Sequence, residues 1–180
     1  MQTIPRVWIC SFALLILHMS CSNDLEKVRI NETEELPVAI TRDVVLTYSD
    51  SARTVSQLSA PLRNDYISDD SRSEFPEGIH LVFYNADQSI NTRLSANTGV
   101  IWQKSGVFYF SQQVELINEK GSQLFTDELT WDNKQKKIYT TRPIRIIDKN
   151  RILTGDGLIA DDNFQTYVIL IPTGTFHIEE

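Results

Sequence analysis

The chain has 180 residues, 41% of them hydrophobic, with 17 Lys and Arg against 24 Asp and Glu and a formal net charge of −7. That length suits one domain with a real core, and the acidic balance excludes a general electrostatic pull on nucleic acid or on anionic lipid surfaces. Both cysteines, Cys10 and Cys21, stand in the N-terminal stretch, so packing rather than an internal disulfide has to hold the remainder.

In chain order, Arg6 precedes an apolar run from Val7 to Leu17 that closes on the small residue Ser20. This is the construction of a secretory signal, and the run is short of the roughly 20 residues a membrane-spanning helix needs. Removing residues 1–20 takes away only Arg6 among the charged groups and leaves a net −8. A small residue directly before Cys21 resembles the lipobox of bacterial lipoproteins, whose cysteine thiol takes a diacylglycerol and becomes the new N-terminus. His18 occupies the place where that pattern has an aliphatic residue, and Leu17 stands one place earlier. The alternative is an ordinary signal peptide, or a short uncleaved anchor, in which Cys21 is incidental. Residues 22–36 are polar and acidic with too few apolar groups for a core, and read as a tether. The expected organisation is a signal peptide at 1–20, a lipidated N-terminus and flexible tether at 21–36, and a β domain at 37–180.

Beyond Pro37 come short apolar stretches rich in β-branched and aromatic residues. Turn signals cut them at Asp50-Ser51, Asn85-Ala86-Asp87, Lys104-Ser105-Gly106, Glu119-Lys120-Gly121, Asp132-Asn133, Asp148-Lys149-Asn150, Asp161-Asp162-Asn163 and Pro172-Thr173-Gly174. This spacing suits successive antiparallel strands, and no long window has a helical apolar period. An all-β fold is expected. Ile79, Leu81 and Phe83 alternate with His80, Val82 and Tyr84; Val114 and Leu116 flank Glu115; Leu129 and Trp131 flank Thr130; Ile144 and Ile146 flank Arg145. Each gives a strand with one apolar face. Val107–Phe110 and Tyr167–Ile171 are apolar on both faces and read as central or covered strands. Pro61, Pro76, Pro143 and Pro172 read as strand ends, where no ladder hydrogen bond is lost.

A loose repeat places Leu58, Leu94, Leu124 and Leu153 third in Ser-Gln-Leu-Ser-Ala, Thr-Arg-Leu-Ser-Ala, Ser-Gln-Leu-Phe-Thr and Arg-Ile-Leu-Thr-Gly. Stacked β units are one reading of it and chance in strands rich in Ser, Thr and Leu is the other. From Lys134 to Arg151, seven basic residues (Lys134, Lys136, Lys137, Arg142, Arg145, Lys149, Arg151) oppose Asp148 alone, a stripe that suits either a solvated strand face or an acidic partner. His80 and His177 lack metal-ligand neighbours, and no nucleophile elbow, metalloprotease helix or phosphate loop occurs. No catalysis, cofactor or metal is expected.

Glu77-Gly-Ile-His-Leu-Val-Phe-Tyr84, then Leu124-Phe-Thr-Asp-Glu-Leu-Thr-Trp-Asp132, then Leu153-Thr-Gly-Asp-Gly-Leu-Ile-Ala-Asp161 resemble in order the LptC family of lipopolysaccharide-export proteins. Phe164 and Tyr167 continue the likeness, which covers residues 40–178. The resemblance implies an open β-jellyroll of two facing antiparallel sheets, shaped like a folded taco, of the OstA-like type. It implies lipopolysaccharide as cargo, an inner-membrane ABC transporter as donor and a periplasmic jellyroll bridge protein as acceptor. Many members keep a transmembrane helix where this chain offers Cys21.

An acidic protein has to hold an anionic glycolipid by burying its acyl chains. The inward apolar positions are the candidate groove lining: Leu58, Leu81, Phe83, Leu94, Phe108, Phe110, Val114, Leu116, Leu124, Leu129, Trp131, Ile146, Leu158 and Val168. A dry core is the other use for each of them. Lys134, Lys136, Lys137, Arg142 and Arg145 are candidates for a headgroup or a partner. The first strand, Ile40 to Tyr48, and the last, Thr173 to Ile178, are the expected docking edges for strand addition. A non-catalytic lipoprotein that binds a glycan through Trp102, or an envelope scaffold, uses the same framework.

Overall fold

The computed structural model describes residues 35–149 and 151–173. Cys21, the signal, most of the tether, His177 and the 174–178 part of the expected last strand lie outside the described residues. The compact unit runs from Leu36. It is all-β, as expected, with eleven strands: β1 (Ala39–Asp50), β2 (Arg53–Tyr66), β3 (Arg72–Phe75), β4 (Ile79–Tyr84), β5 (Ile90–Ala96), β6 (Thr98–Trp102), β7 (Val107–Asn118), β8 (Gln123–Asp132), β9 (Lys137–Asp148), β10 (Arg151–Asp161) and β11 (Tyr167–Thr173).

Every pairing is antiparallel, and the long strands pair differently along their length. The start of β2 (Ser56–Ser59) pairs with β4, and its end (Asn64–Tyr66) with β3. Likewise Val107–Trp102 and Ser111–Thr98 join β7 to β6, while Glu115–Asn118 joins β7 to β5. β3 with β4, and β5 with β6, therefore act as two further long strands broken at Pro76–Gly78 and at Asn97. The result is an up-and-down meander of nine antiparallel strands, each bent across one crease, so that half of each lies in one layer and half in the other. The layers face each other. Phe83 of β4 meets Trp131 of β8 edge-to-face at 5.0 Å although two strands separate them in the sheet, and a Cβ on Gly99 of β6 would lie 2.9 Å from Ile79 of β4. This is the jellyroll of two facing antiparallel sheets.

The crease has a physical signature. Ladder register breaks between Ser111 and Val114, between Thr126 and Thr130, and between Asp156 and Leu158. Asp43 (φ 51°), Gln112 (64°), Gln113 (56°) and Gly157 (86°) turn the backbone left-handed there, the bulge device by which a strand changes direction. Two of the prolines read as strand ends belong to this line instead: Pro61 and Pro143 sit mid-strand in β2 and β9. A proline fits there because the crease already interrupts the hydrogen-bond ladder.

Inside, the loose repeat resolves into one rung. Leu46, Leu58, Leu81, Leu94, Leu116, Leu124, Ile146 and Leu153 are successive cross-strand partners through β1, β2, β4, β5, β7, β8, β9 and β10. The four repeated leucines fall on every second strand of that rung, so the repeat marks strand pairs rather than independent β units. A buried leucine contributes about 1.5–3 kcal/mol, which makes this rung a main source of cohesion. The opposite layer supplies Ile101, Phe108, Trp131 and Ile138 as its facing row.

One strand departs from expectation. The wholly apolar Tyr167–Ile171 run is not a covered strand but β11, an edge that pairs, among the described residues, with β10 alone. Tyr167 and Ile169 pack on the core, whereas Val168, Leu170 and Ile171 are exposed. Pro172 and Thr173 belong to this strand rather than to a turn.

Candidate functional site: a groove between the two sheets

The strand tips form two rows opposite the crease. One layer ends in the turns at 67–71, 103–106, 133–136 and 162–166, the other in those at 51–52, 85–89 and 119–122 and at Lys149. Between the rows a cavity of about 950 Å³ opens, large enough for a substantial ligand. Its floor is Leu46, Leu58, Leu81, Phe83, Ile101, Phe108 and Trp131; its rim carries Asn85, Asn91, Asn133, Asn163, Lys136 and Asp162.

The floor follows from the alternation of the strands. Phe83 is the third inward residue of β4 after Ile79 and Leu81, and Trp131 follows Leu129 in the inward phase of β8. Phe108 lies 4.5 Å from Trp131 and 6.4 Å from Phe110, ring centre to ring centre. Together Phe83, Phe108 and Trp131 make an aromatic cluster that reaches across both layers. The Trp131 indole N–H is buried without a hydrogen-bond partner, a cost of about 1–3 kcal/mol that ring packing has to offset. The rim is polar because it is built from turn residues. Lys136 sits there, its Nζ 2.9 Å from the Asn133 side-chain oxygen and 3.7 Å from Asp162.

The fourteen candidate lining residues divide into three groups. Leu58, Leu81, Phe83, Phe108 and Trp131 line the cavity. Leu94, Phe110, Val114, Leu116, Leu124, Leu129, Ile146 and Leu158 are buried in the closed part of the same interior, each at most 4% exposed. Val168 faces outward at 63% exposure, because Tyr167 and Ile169 take the inward phase of β11. Leu46, Tyr48, Val55 and Ile101 also line the cavity and were not among the candidates. Ile101 lies in the apolar Val100-Ile101-Trp102 run, whereas Leu46 and Tyr48 belong to a strand expected only as a docking edge.

The basic stripe does not act as a unit. Lys136 alone of its residues reaches the groove rim. Lys134 donates to the Lys104 carbonyl at 2.6 Å, Lys137 lies on a shallow outer cleft, and Arg142 pairs with Glu128 at 2.7 Å. Arg145 is exposed on β9, in the phase opposite to the buried Ile144 and Ile146. The Arg142 guanidinium holds the Glu128 carboxyl below the usual carboxylate range, while burial and then Glu128 itself push the Tyr109 hydroxyl up. Trp102 does not line the cavity; it pairs with Arg72 and Val107 at the end of β6.

Among the described residues no cluster of three metal-ligating side chains occurs, and no helix is long and apolar enough to cross a membrane. His80 does not line the groove. What the groove offers is an apolar bed under an amide-rich rim, a fit for a molecule with hydrocarbon on one side and hydroxyl or phosphate groups on the other.

No curated protein matches the chain. A family model described as lipopolysaccharide-assembly, LptC-related, matches residues 9–171. The match spans the meander, both walls of the groove and all three stretches that carry the sequence resemblance, and the chain belongs to the LptC-related family of lipopolysaccharide export, whose members are non-catalytic envelope proteins of the inner membrane and periplasm.

Proposed function

We propose that this protein receives lipopolysaccharide from an inner-membrane ABC transporter, holds its acyl chains on the groove floor and hands it to a partner jellyroll in the periplasm. The observation that carries this reading is the groove itself: Leu58, Leu81, Phe83, Phe108 and Trp131 beneath Asn85, Asn91, Asn133, Asn163 and Lys136. Burial of hydrocarbon supplies the affinity, and it does so without help from the net charge. The amides are suited to sugar hydroxyls and Lys136 to a phosphate. β1 and β11, each paired on one side only among the described residues, are the edges through which donor and acceptor jellyrolls would join by strand addition. An acylated Cys21, followed by the polar tether, would keep the groove at the membrane where cargo is loaded.

A photo-crosslinking amino acid at Phe108 tests the reading in living cells. Lipopolysaccharide is expected on the Phe108 variant and absent from a control at Tyr139, which is 40% exposed and stands in the outward phase of β9. Equal labelling at both sites, or none at Phe108 in a folded protein, sinks the proposal. The glycan-binding alternative would instead give a purified, lipid-free protein that binds oligosaccharide and loses it on Trp102→Ala.

A further inference from the structure

The groove is open along only part of its length. It occupies the side of the interior beneath β1, β2 and β4, and it stops where the 162–166 turn between β10 and β11 crosses to the opposite row of tips. Phe164, at the centre of that turn, is fully buried between the layers and holds a left-handed backbone (φ 50°), a conformation rarely adopted by a bulky residue without a compensating contact. Its ring stacks on Tyr167 at 5.2 Å. The Asn118 side-chain amide, buried in the facing layer, donates to the Phe164 carbonyl at 2.7 Å, and Gln165 donates to Glu119 at 3.0 Å. Asp161 shapes the turn by accepting the N–H groups of Gln165 and Thr166 and the Thr166 hydroxyl. Beyond Phe164 the inward residues Leu158 and Ile169 remain packed against the core.

We infer that the 161–166 turn is a latch that shuts the β11 side of the groove, with Phe164 as its plug. Resting on the export reading, it adds that the cargo path has two compartments: an entry half that is open and an exit half that acyl chains reach only when Phe164 leaves its socket. The parts suit a device that opens. The plug is a single side chain on a short turn, it is fastened across the seam by two hydrogen bonds, and its backbone relaxes on release. Both layers are otherwise joined at the crease, so they can part at the tips without breaking a strand ladder. A filler that served only the core would need neither the strained φ nor the fastening to the opposite row.

The test places the photo-crosslinking amino acid at Phe108, in the open half, or at Ile169, behind the latch, in the full-length protein in its own envelope. Each is combined with Phe164→Gly, which removes the plug and relieves the backbone, or with Gln165→Ala, which cuts the exposed fastening and leaves the core intact. The latch requires lipopolysaccharide labelling at Ile169 to rise about threefold or more in either variant while labelling at Phe108 stays level. Labelling at Ile169 that matches Phe108 in the unmodified protein and does not change in either variant overturns the latch and leaves the export reading standing. Absence of labelling at Phe108 overturns the export reading and the latch with it. Should Phe164→Gly fail to fold, as judged by thermal denaturation, Gln165→Ala decides the matter alone.

Discussion

Single residues in this domain are constrained by how closely the bent strands approach one another. Gly155 of β10 is the clearest case: a Cβ there would meet Ile169 Cγ2 at 2.4 Å and the Ile171 carbonyl oxygen at 2.6 Å. Gly155→Ala should therefore destabilise by about 1–3 kcal/mol in chemical denaturation, since β11 has to shift. Unchanged stability would show that this edge yields freely. Asp70 makes a different demand. The Ser105 hydroxyl and the backbone N–H groups of Lys104 and Ser105 hold its carboxyl below the usual carboxylate range, at distances of 2.8 and 3.2 Å for the two N–H groups. A depressed folded-state pKa stabilises above the unfolded value and loses that contribution as pH falls through the folded one. Asp70→Asn should be the less stable form at pH 7, with the gap to the parent protein closing as pH falls below the carboxylate range. A gap that does not change with pH would rule out the carboxylate as its source. Phe164 shows the limit of reading residues singly: the sequence marks it as part of the family likeness, but its carbonyl is held by Asn118, which is 46 residues away.

Among the elements, the tips were legible and the crease was not. Asp, Asn and Gly clusters mark the turns at 50–51, 85–87, 104–106, 119–121 and 161–163 because turn chemistry is local. The first of these carries a testable cost. Ser51 and Ala52 both hold left-handed backbones, φ 50° and 62°, in a two-residue hairpin that closes Asp50 on Arg53. Asparagine and glycine are the residues that prefer such a turn, so Ser51→Asn with Ala52→Gly should raise stability by about 0.5–1.5 kcal/mol. No gain in the denaturation midpoint would contradict the assigned turn. The crease is silent in the sequence because it uses Gln112-Gln113, Asp127-Glu128 and mid-strand prolines, whose bend is imposed by the second layer rather than by their own propensity. β11 departs from expectation for a related reason. An apolar run specifies burial only if something covers it, and strand order alone decides that β11 is an edge. Removing a rung leucine tests the opposite case: Leu124→Ala, at a fully buried site, should cost about 2–5 kcal/mol, and a loss below 1 kcal/mol would mean that the rung repacks.

For the whole molecule, the relation between composition and function runs through the groove. A chain of net charge −7 that handles an anionic lipid has to depend on apolar contact and on being held near its cargo. Intact mass of the protein extracted from its envelope reports the second requirement directly. A chain starting at Cys21 with added acyl mass is expected; a chain that retains Met1, or a mature chain without acyl mass, removes the lipid tether from the proposal. The sequence by itself determined the all-β class, the positions of most tips but not the one at 67–71, the inward phase of most strands and the family, since alternation and turn chemistry act over a few residues. The tertiary structure decided which inward residues remain open and which are packed shut, which apolar strand is an edge, and which cation reaches the rim. Those outcomes depend on where the second layer lies once the nine strands bend, and contacts between residues tens of positions apart are not encoded by any local pattern.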